Sequence, residues 1–425
     1  MDKTQQLPLI VQPLLDWFDT HQRILPWRED PTPYHVWISE IMLQQTRVSA
    51  VISYYNRFLR ELPDMKALAQ VPDDELMKLW QGLGYYSRAR NLKKTAGICA
   101  RDYGGQLPAD YKKLLKLPGI GPYTAGAIAS IAFGIARPAI DGNVLRVISR
   151  ILADRRDIAD PAVKKDMEAM LQALMDEDFQ EEHPAGECSE ETQTGSGKSD
   201  CDAGTQAGSG KSNRAAGIRL RDVPGLFNQA LMELGALICL PNGEPHCAEC
   251  PVCEICLAHQ LEVTDQIPYK APKKARKIEK KTVLIIEKIE QAEKTAEADL
   301  EAEGPHLKPD GRGQDSRKNG MKIALRKRPE EGLLAGLYEF PALEGHLSDR
   351  QIESYLSDMG QVEFIEAGPD SRHIFTHIEW HMKAYHVGLS QVREDAMQFY
   401  TLDQIRGELA VPSAYAAYLK YIAGL

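Results

Sequence analysis

Two architectures are predicted in this chain: a mostly α-helical N-terminal domain with a helix–hairpin–helix and a cysteine-rich loop, then a C-terminal α+β domain. Three observations predict them. From residue 7 to about 175, apolar residues recur at helical spacing, with Leu14, Trp17 and Phe18 on one face and Val51, Tyr54, Tyr55 and Phe58 on another. Five of the eight cysteines crowd into residues 239–256. Beyond residue 281 the pattern changes to short alternating runs, TVLIIE, KIALRKRP, LYEFP, QVEFIEAG and WHMKAYHVGL, with a helical piece at 350–356.

A chain of 425 residues has room for two domains, and its 43% hydrophobic and 26% charged composition is that of a soluble globular protein. No apolar run reaches the roughly 18 residues of a membrane span. The start, MDKTQQLPLI, lacks the basic-then-apolar signature of a secretory leader. An intracellular protein with reduced cysteines and no membrane partner is therefore expected. The net charge of −10 argues at first against nucleic acid. That charge is concentrated, however. Residues 176–202 carry a net −9 and residues 285–304 a net −5, leaving the remainder at about +4.

These shifts divide the chain. Residues 1–269 read as the helical domain, interrupted at 181–217 by a Gly/Ser/Thr/acid-rich insertion that contains GSGKS twice. That insertion holds too little apolar surface to fold and is expected to be disordered. Residues 270–281 read as a basic linker and 282–425 as the second domain, with a flexible excursion at 288–320.

Within VWISEIMLQQTR (36–47), Glu40 stands alone among apolar residues. Ile38, Ile41 and Met42 share one helical face, and Val36 and Leu43 flank the carboxylate on the other. A helix apolar on both sides is buried, and burial raises a carboxyl pKa. The ordinary alternative is a partly exposed glutamate.

The motif LPGIGPYTAGAI (117–128) reads as two helices joined by a tight turn. The first, 111–116, is stopped by Pro118; Gly119 and Gly121 permit the turn, and Pro122 suits the first position of the second. Such a hairpin aims free backbone N–H groups at an anion, usually a DNA phosphate, although a plain αα-hairpin has the same letters. Downstream, Asp141-Gly142-Asn143 precedes a helix whose face carries Val144, Val147, Ile148 and Ile151. Most aspartates in this place only cap the helix. The position also predicts a lowered pKa for Asp141, through backbone donors and the positive helix end. A protonated Glu40 and an ionised Asp141 would suit acid-assisted cleavage through a cationic sugar.

Cys239, Cys247, Cys250 and Cys256 form C-x7-C-x2-C-x5-C, with Cys253 as an extra thiol. One compact loop with four thiolates suits a cubane iron–sulfur cluster; zinc, which usually takes two separated C-x2-C knuckles, is the rival.

Together these features resemble the endonuclease III superfamily of base-excision DNA glycosylases. Within it the chain is similar to the adenine DNA glycosylase (MutY) family, through PWRE, WISEIMLQQTRV, QGLGYYSRARNL, LPGIGPYTAGAI, AIDGNVLRV, FNQALMELGALIC, GLLAGLYEFP and FTHIEW. The resemblance implies that a monomer binds double-stranded DNA containing adenine opposite 8-oxoguanine or guanine. It would hydrolyse the N-glycosidic bond of that adenine and leave an abasic site. Glu40 would protonate the base, and Asp141, with Asn143 beside it, would stabilise the oxocarbenium ion. The endonuclease III branch carries a Schiff-base lysine where this chain has Tyr123. Tyrosine has no amine, so a monofunctional enzyme without β-lyase cutting is implied. Gln45 and Tyr85 would wedge the stack when adenine leaves it, and Trp27, Arg28 and Gln229 would line the adenine pocket.

The second domain resembles a Nudix-like module for 8-oxoguanine recognition through Phe375, Thr376 and His377. Many relatives have serine at the position of Thr376. The module lacks an REXXEE segment, so nucleotide hydrolysis is not implied. The four cysteines match the ligands of a 4Fe-4S cluster, although seven residues separate Cys239 from Cys247 where the family usually has six. Two rival readings remain: a bifunctional endonuclease III-like enzyme acting on pyrimidine lesions, and a non-catalytic iron–sulfur DNA-binding protein.

Overall fold

The computed structural model describes residues 3–179, 222–272, 275–290, 320–393 and 395–425. The expected insertion at 181–217, and the excursion apart from its ends, lie outside the described residues.

Helices α1 (Val11–His21), α2 (Pro26–Glu29) and α3 (Pro33–Leu43) come first, followed by α4 (Val48–Glu61), α5 (Met65–Gln70), α6 (Asp73–Trp80) and α7 (Ser87–Asp102). The hairpin pairs α8 (Tyr111–Leu114) with α9 (Pro122–Ala127). After it come α10 (Gly142–Ile151), α11 (Pro161–Asp178), α12 (Val223–Leu237), the cysteine loop and α13 (Leu257–Gln260). Helix α8 ends at Leu114 rather than at 116, because Lys116 N–H bonds to the Lys113 carbonyl and tightens the turn before Pro118. Among the described residues no helix is long and apolar enough to cross a membrane.

The chain divides into two compact units, residues 1–40 with 107–271 and residues 41–106 with 272–425. The first unit is helical. Its core joins Leu14 and Phe18 of α1, Val144 and Ile148 of α10, Met167 and Leu171 of α11, and Phe227 and Leu231 of α12, each at most 1% exposed. These are the 3.6-period positions of four amphipathic helices.

In the second unit, strands β1 (Lys277–Lys288), β2 (Lys322–Lys327), β3 (Tyr338–Glu339), β4 (Ala342–Glu344), β5 (Gln361–Ala367), β6 (Ser371–Ile374), β7 (Ile378–Ser390) and β8 (Gln398–Thr401) form one sheet. Its main path runs β3-β2-β1-β7-β5, with β1 parallel to β7 along its whole length. Val283, Ile285, Trp380 and Met382 face helices α15 (Leu402–Gly407) and α16 (Ala416–Gly424) through Ile405, Tyr418 and Ile422. Leu284, Ile286, Val387 and Leu389 face α14 (Asp349–Leu356) through Ile352 and Leu356. Cover on both faces explains why VLII is continuously apolar.

Two expectations need correction. Residues 277–281, read as linker, are the first part of β1, because their backbone pairs in register with residues 378–382 of β7. Lys288, read as the start of the excursion, closes the same strand opposite Leu389. Separately, helices α4 to α7 fall in the second compact unit, with the C-terminal half. Side chains of α6, α7 and their connection cap backbone there. Lys78 Nζ donates to the Leu409 carbonyl at 3.1 Å, Gln81 Nε2 to that of Val411 at 2.9 Å, and Arg90 Nη1 to that of Ala335 at 2.7 Å.

Candidate active site

Glu40 sits in α3 between Ile38 and Ile41 and is 6% exposed. Burial raises its carboxyl pKa from the ordinary range to about 7. A hydrogen bond donated by the Tyr123 hydroxyl opposes that rise, the negative charge of Asp141 adds to it, and Arg28 lowers it. Tyr123 stands one residue inside α9, after Gly121 as N-cap and Pro122 at the first position. Its own pKa lies well above the usual phenol value, chiefly through burial and then the Glu40 charge, so it remains a donor. In the hairpin turn, Gly119 is left-handed at φ 77° and requires glycine. Gly121 is extended, with open space where a side chain would begin.

Asp141 caps α10. Its carboxylate accepts from the backbone N–H of Asn143 and Val144, each at 2.8 Å, and from Asn143 Nδ2 at 2.7 Å. The expected lowering of its pKa is overturned: burial raises it, and the donors only hold the rise back. The carbonyl oxygen of the Asn143 side chain accepts from Arg146 Nη2 at 3.0 Å. Arg146 also donates to the carbonyls of Gly235 at 2.7 Å and Cys239 at 2.8 Å, tying the capped end of α10 to α12 and the cysteine loop. Gly235 permits this approach, since a Cβ there would lie 2.6 Å from Asn143 Cβ.

Trp27 is buried and Arg28 nearly so. Arg28 lies over the Phe18 ring and donates Nη2 to Glu233 at 3.0 Å. Arg23 grips the same carboxylate with Nε at 2.7 Å and Nη2 at 2.8 Å. Burial alone would raise the Glu233 pKa, yet the hydrogen bonds from Arg23 and Arg28 together hold it down at about 2. Gln229 is half-buried on the same helix, its side-chain amide donating to the Gly225 carbonyl at 3.2 Å. Sequence reading missed Glu233, Arg23 and Arg146. The cue for Glu233 was a carboxylate inside the apolar run LMELGAL.

The cysteine loop closes on a small cavity. Cys239, Cys247, Cys250, Cys253 and Cys256 line it together with Arg150 and His259. Arg150 Nη1 donates to Cys239 Sγ at 3.2 Å and to the Leu240 carbonyl at 2.9 Å. Among the described residues no three Cys, His, Asp or Glu side chains meet at the geometry of a single metal ion.

In the second unit, Gln45 and Tyr85 are exposed on two loops, both with left-handed backbones at φ 57° and 48°. The loop between β6 and β7 carries Phe375, Thr376 and His377. Phe375 packs against His373 and Trp380 at ring distances of 4.5 and 4.8 Å, whereas Thr376 and His377 are exposed. Tyr85 Oη and Thr376 Oγ1 lie 3.4 Å apart at the mouth of a cavity of about 500 Å³, bordered also by Leu334 and Pro412. Tyr85 and Thr376, 291 positions apart, are thus brought together.

Residues 38–173 match the HhH-GPD superfamily of base excision DNA repair proteins, and residues 316–421 match the NUDIX domain. Hairpin, buried acid and capped aspartate thus define a helix–hairpin–helix base-excision glycosylase with an appended Nudix-type domain. The adenine DNA glycosylase of Mus musculus is 31% identical over 89% of this chain and 70% of its own length. That of Homo sapiens is 32% identical over 88% and 66%. A thermostable thymine-DNA glycosylase structure shares 26% identity over 60% of this chain and 98% of its own, with a TM-score of 0.43. The chain belongs to the adenine DNA glycosylase family.

Proposed function

We propose that the protein acts on double-stranded DNA as a monomer and hydrolyses the N-glycosidic bond of adenine mispaired with 8-oxoguanine or guanine, without cutting the strand. The buried Glu40 carboxyl, with a pKa near 7 and a phenol donor on it, carries this reading. In its neutral form it gives a proton to a ring nitrogen of adenine, so the base leaves uncharged. The Tyr123 hydroxyl stabilises the carboxylate so formed, which then takes a proton from the attacking water. Asp141, held by three N–H donors, faces the positive charge that develops on the sugar. Tyr123 offers no amine for a Schiff base, which favours simple hydrolysis over lyase chemistry.

Phe375, Thr376 and His377 would read the 8-oxoguanine, and Gln45 and Tyr85 would fill the space left by the extruded adenine. The cysteine cavity suits a 4Fe-4S cluster, because the thiols of one compact loop line a single small space. Cys239, Cys247, Cys250 and Cys256 would hold the cluster, which would supply a covalent staple to a loop with little core of its own.

Duplexes with adenine opposite 8-oxoguanine, or with an oxidised pyrimidine, test the reading. Strand breakage at the adenine only after alkali, lost in Glu40→Gln, is expected. Direct breakage at the pyrimidine would replace it with the lyase reading, and no breakage with a non-catalytic DNA-binding protein.

A further inference from the structure

The two exposed residues assigned above to the wedge share one buried support. Arg88, near the start of α7, is 8% exposed. Its Nη1 donates to the carbonyls of Ile41 at 2.6 Å, Met42 at 3.1 Å and Gln44 at 2.7 Å. Its Nη2 donates to those of Leu83 at 3.0 Å and Gly84 at 3.1 Å. The guanidinium carbon also lies 5.4 Å from the Trp80 ring centre and 5.5 Å from that of Tyr85. The first three carbonyls lie at the C-terminal end of α3, where a cation is favoured. The last of them directly precedes Gln45, and the Gly84 carbonyl directly precedes Tyr85. Both following residues hold left-handed backbones, which non-glycine side chains adopt only when the surroundings enforce it. Only a planar fork with several fixed donors can hold both loops at once; lysine offers three donors from a single point.

We propose that Arg88 is the positioning residue for base extrusion: one guanidinium locks the Gln45 and Tyr85 loops so that both side chains enter the helix together. This rests on the wedge role given to those residues above. Arg88 touches no reacting atom, so its loss acts before chemistry.

The test compares single-turnover excision from two duplexes. One holds adenine opposite 8-oxoguanine in a paired context. The other has the same pair flanked on both sides by mismatches, so that extrusion is cheap. Arg88→Lys is expected to slow the first duplex at least tenfold and the second less than threefold. Glu40→Gln, which acts on chemistry, serves as control and should lose equally on both. Equal losses on both duplexes for Arg88→Lys, or none on either, with an active wild type, would overturn the clamp and leave the glycosylase reading intact. A wild type inactive on both would overturn that reading and the clamp with it.

Discussion

The Tyr123 hydroxyl donates to the buried carboxyl of Glu40. Burial pushes the acid up and the phenol pulls it back, so that it settles at about 7. A proton donor must hold its proton at working pH and still release it, and the pair sets that compromise.

Excision should therefore be fast below about pH 7 and fall as pH rises through that value, because only neutral Glu40 can donate. Tyr123→Phe removes the opposing influence, so the fall should move to higher pH. The plateau rate should also drop roughly tenfold, since a hydrogen bond to a charged group is worth about 1.5–3 kcal/mol and the carboxylate formed in the reaction loses it. Single-turnover rates from pH 5 to 9 measure both. An unchanged profile would remove Glu40 as the titrating donor.

The same burial weakens the fold. Glu40 has a folded-state pKa above its unfolded one, so its favourable contribution is complete below about 4.5 and lost as pH rises through about 7. Glu40→Gln keeps the shape and can still accept from Tyr123. It should leave thermal stability nearly unchanged at pH 4 and raise it at pH 8, by about 3 kcal/mol at most. Scanning calorimetry at the two pH values decides this. A variant less stable at pH 8 would contradict it.

Glu233 behaves in the opposite sense. Its folded pKa is depressed to about 2, so its contribution is complete above about 4.5 and fades as pH falls toward 2. Glu233→Ala would leave Arg23 and Arg28 facing each other without their carboxylate and should cost about 3–5 kcal/mol at pH 7. Arg23→Ala, at a more exposed position, should cost less because Arg28 remains. Urea denaturation at pH 7 ranks the two, and the reverse ranking would show that Arg28 alone does not hold the charge.

Sequence alone made much of this legible where the signal was local. Glu40 reads as buried because apolar residues flank it on both helical faces, and the Asp141 cap follows from the residues beside it. The Asp141 pKa was misread because backbone donors are visible in sequence whereas burial by other helices is not. Glu233 with Arg23, and Arg88 with the Gln44 carbonyl 44 positions upstream, depend on pairing at long range. No periodicity encodes such contacts. The start of β1 was hidden for a related reason: its lysines look like linker until the backbone is seen to pair with β7.

The cysteine loop offers one thiol more than a 4Fe-4S cluster needs, and the surroundings separate the spare one. Cys239 Sγ accepts a hydrogen bond from Arg150 Nη1. Cys239 and Cys250 pack against the helical core and Cys256 against Ala258 and Ile267, which fixes their positions. The Cys253 thiol instead donates to the exposed carboxylate of its own neighbour, Glu254, at 3.7 Å. Cys253→Ser should therefore purify with full iron content and brown colour, whereas Cys250→Ser should lose both, together with thermal stability. Iron lost from Cys253→Ser and retained by Cys250→Ser would exchange the two in the ligand set.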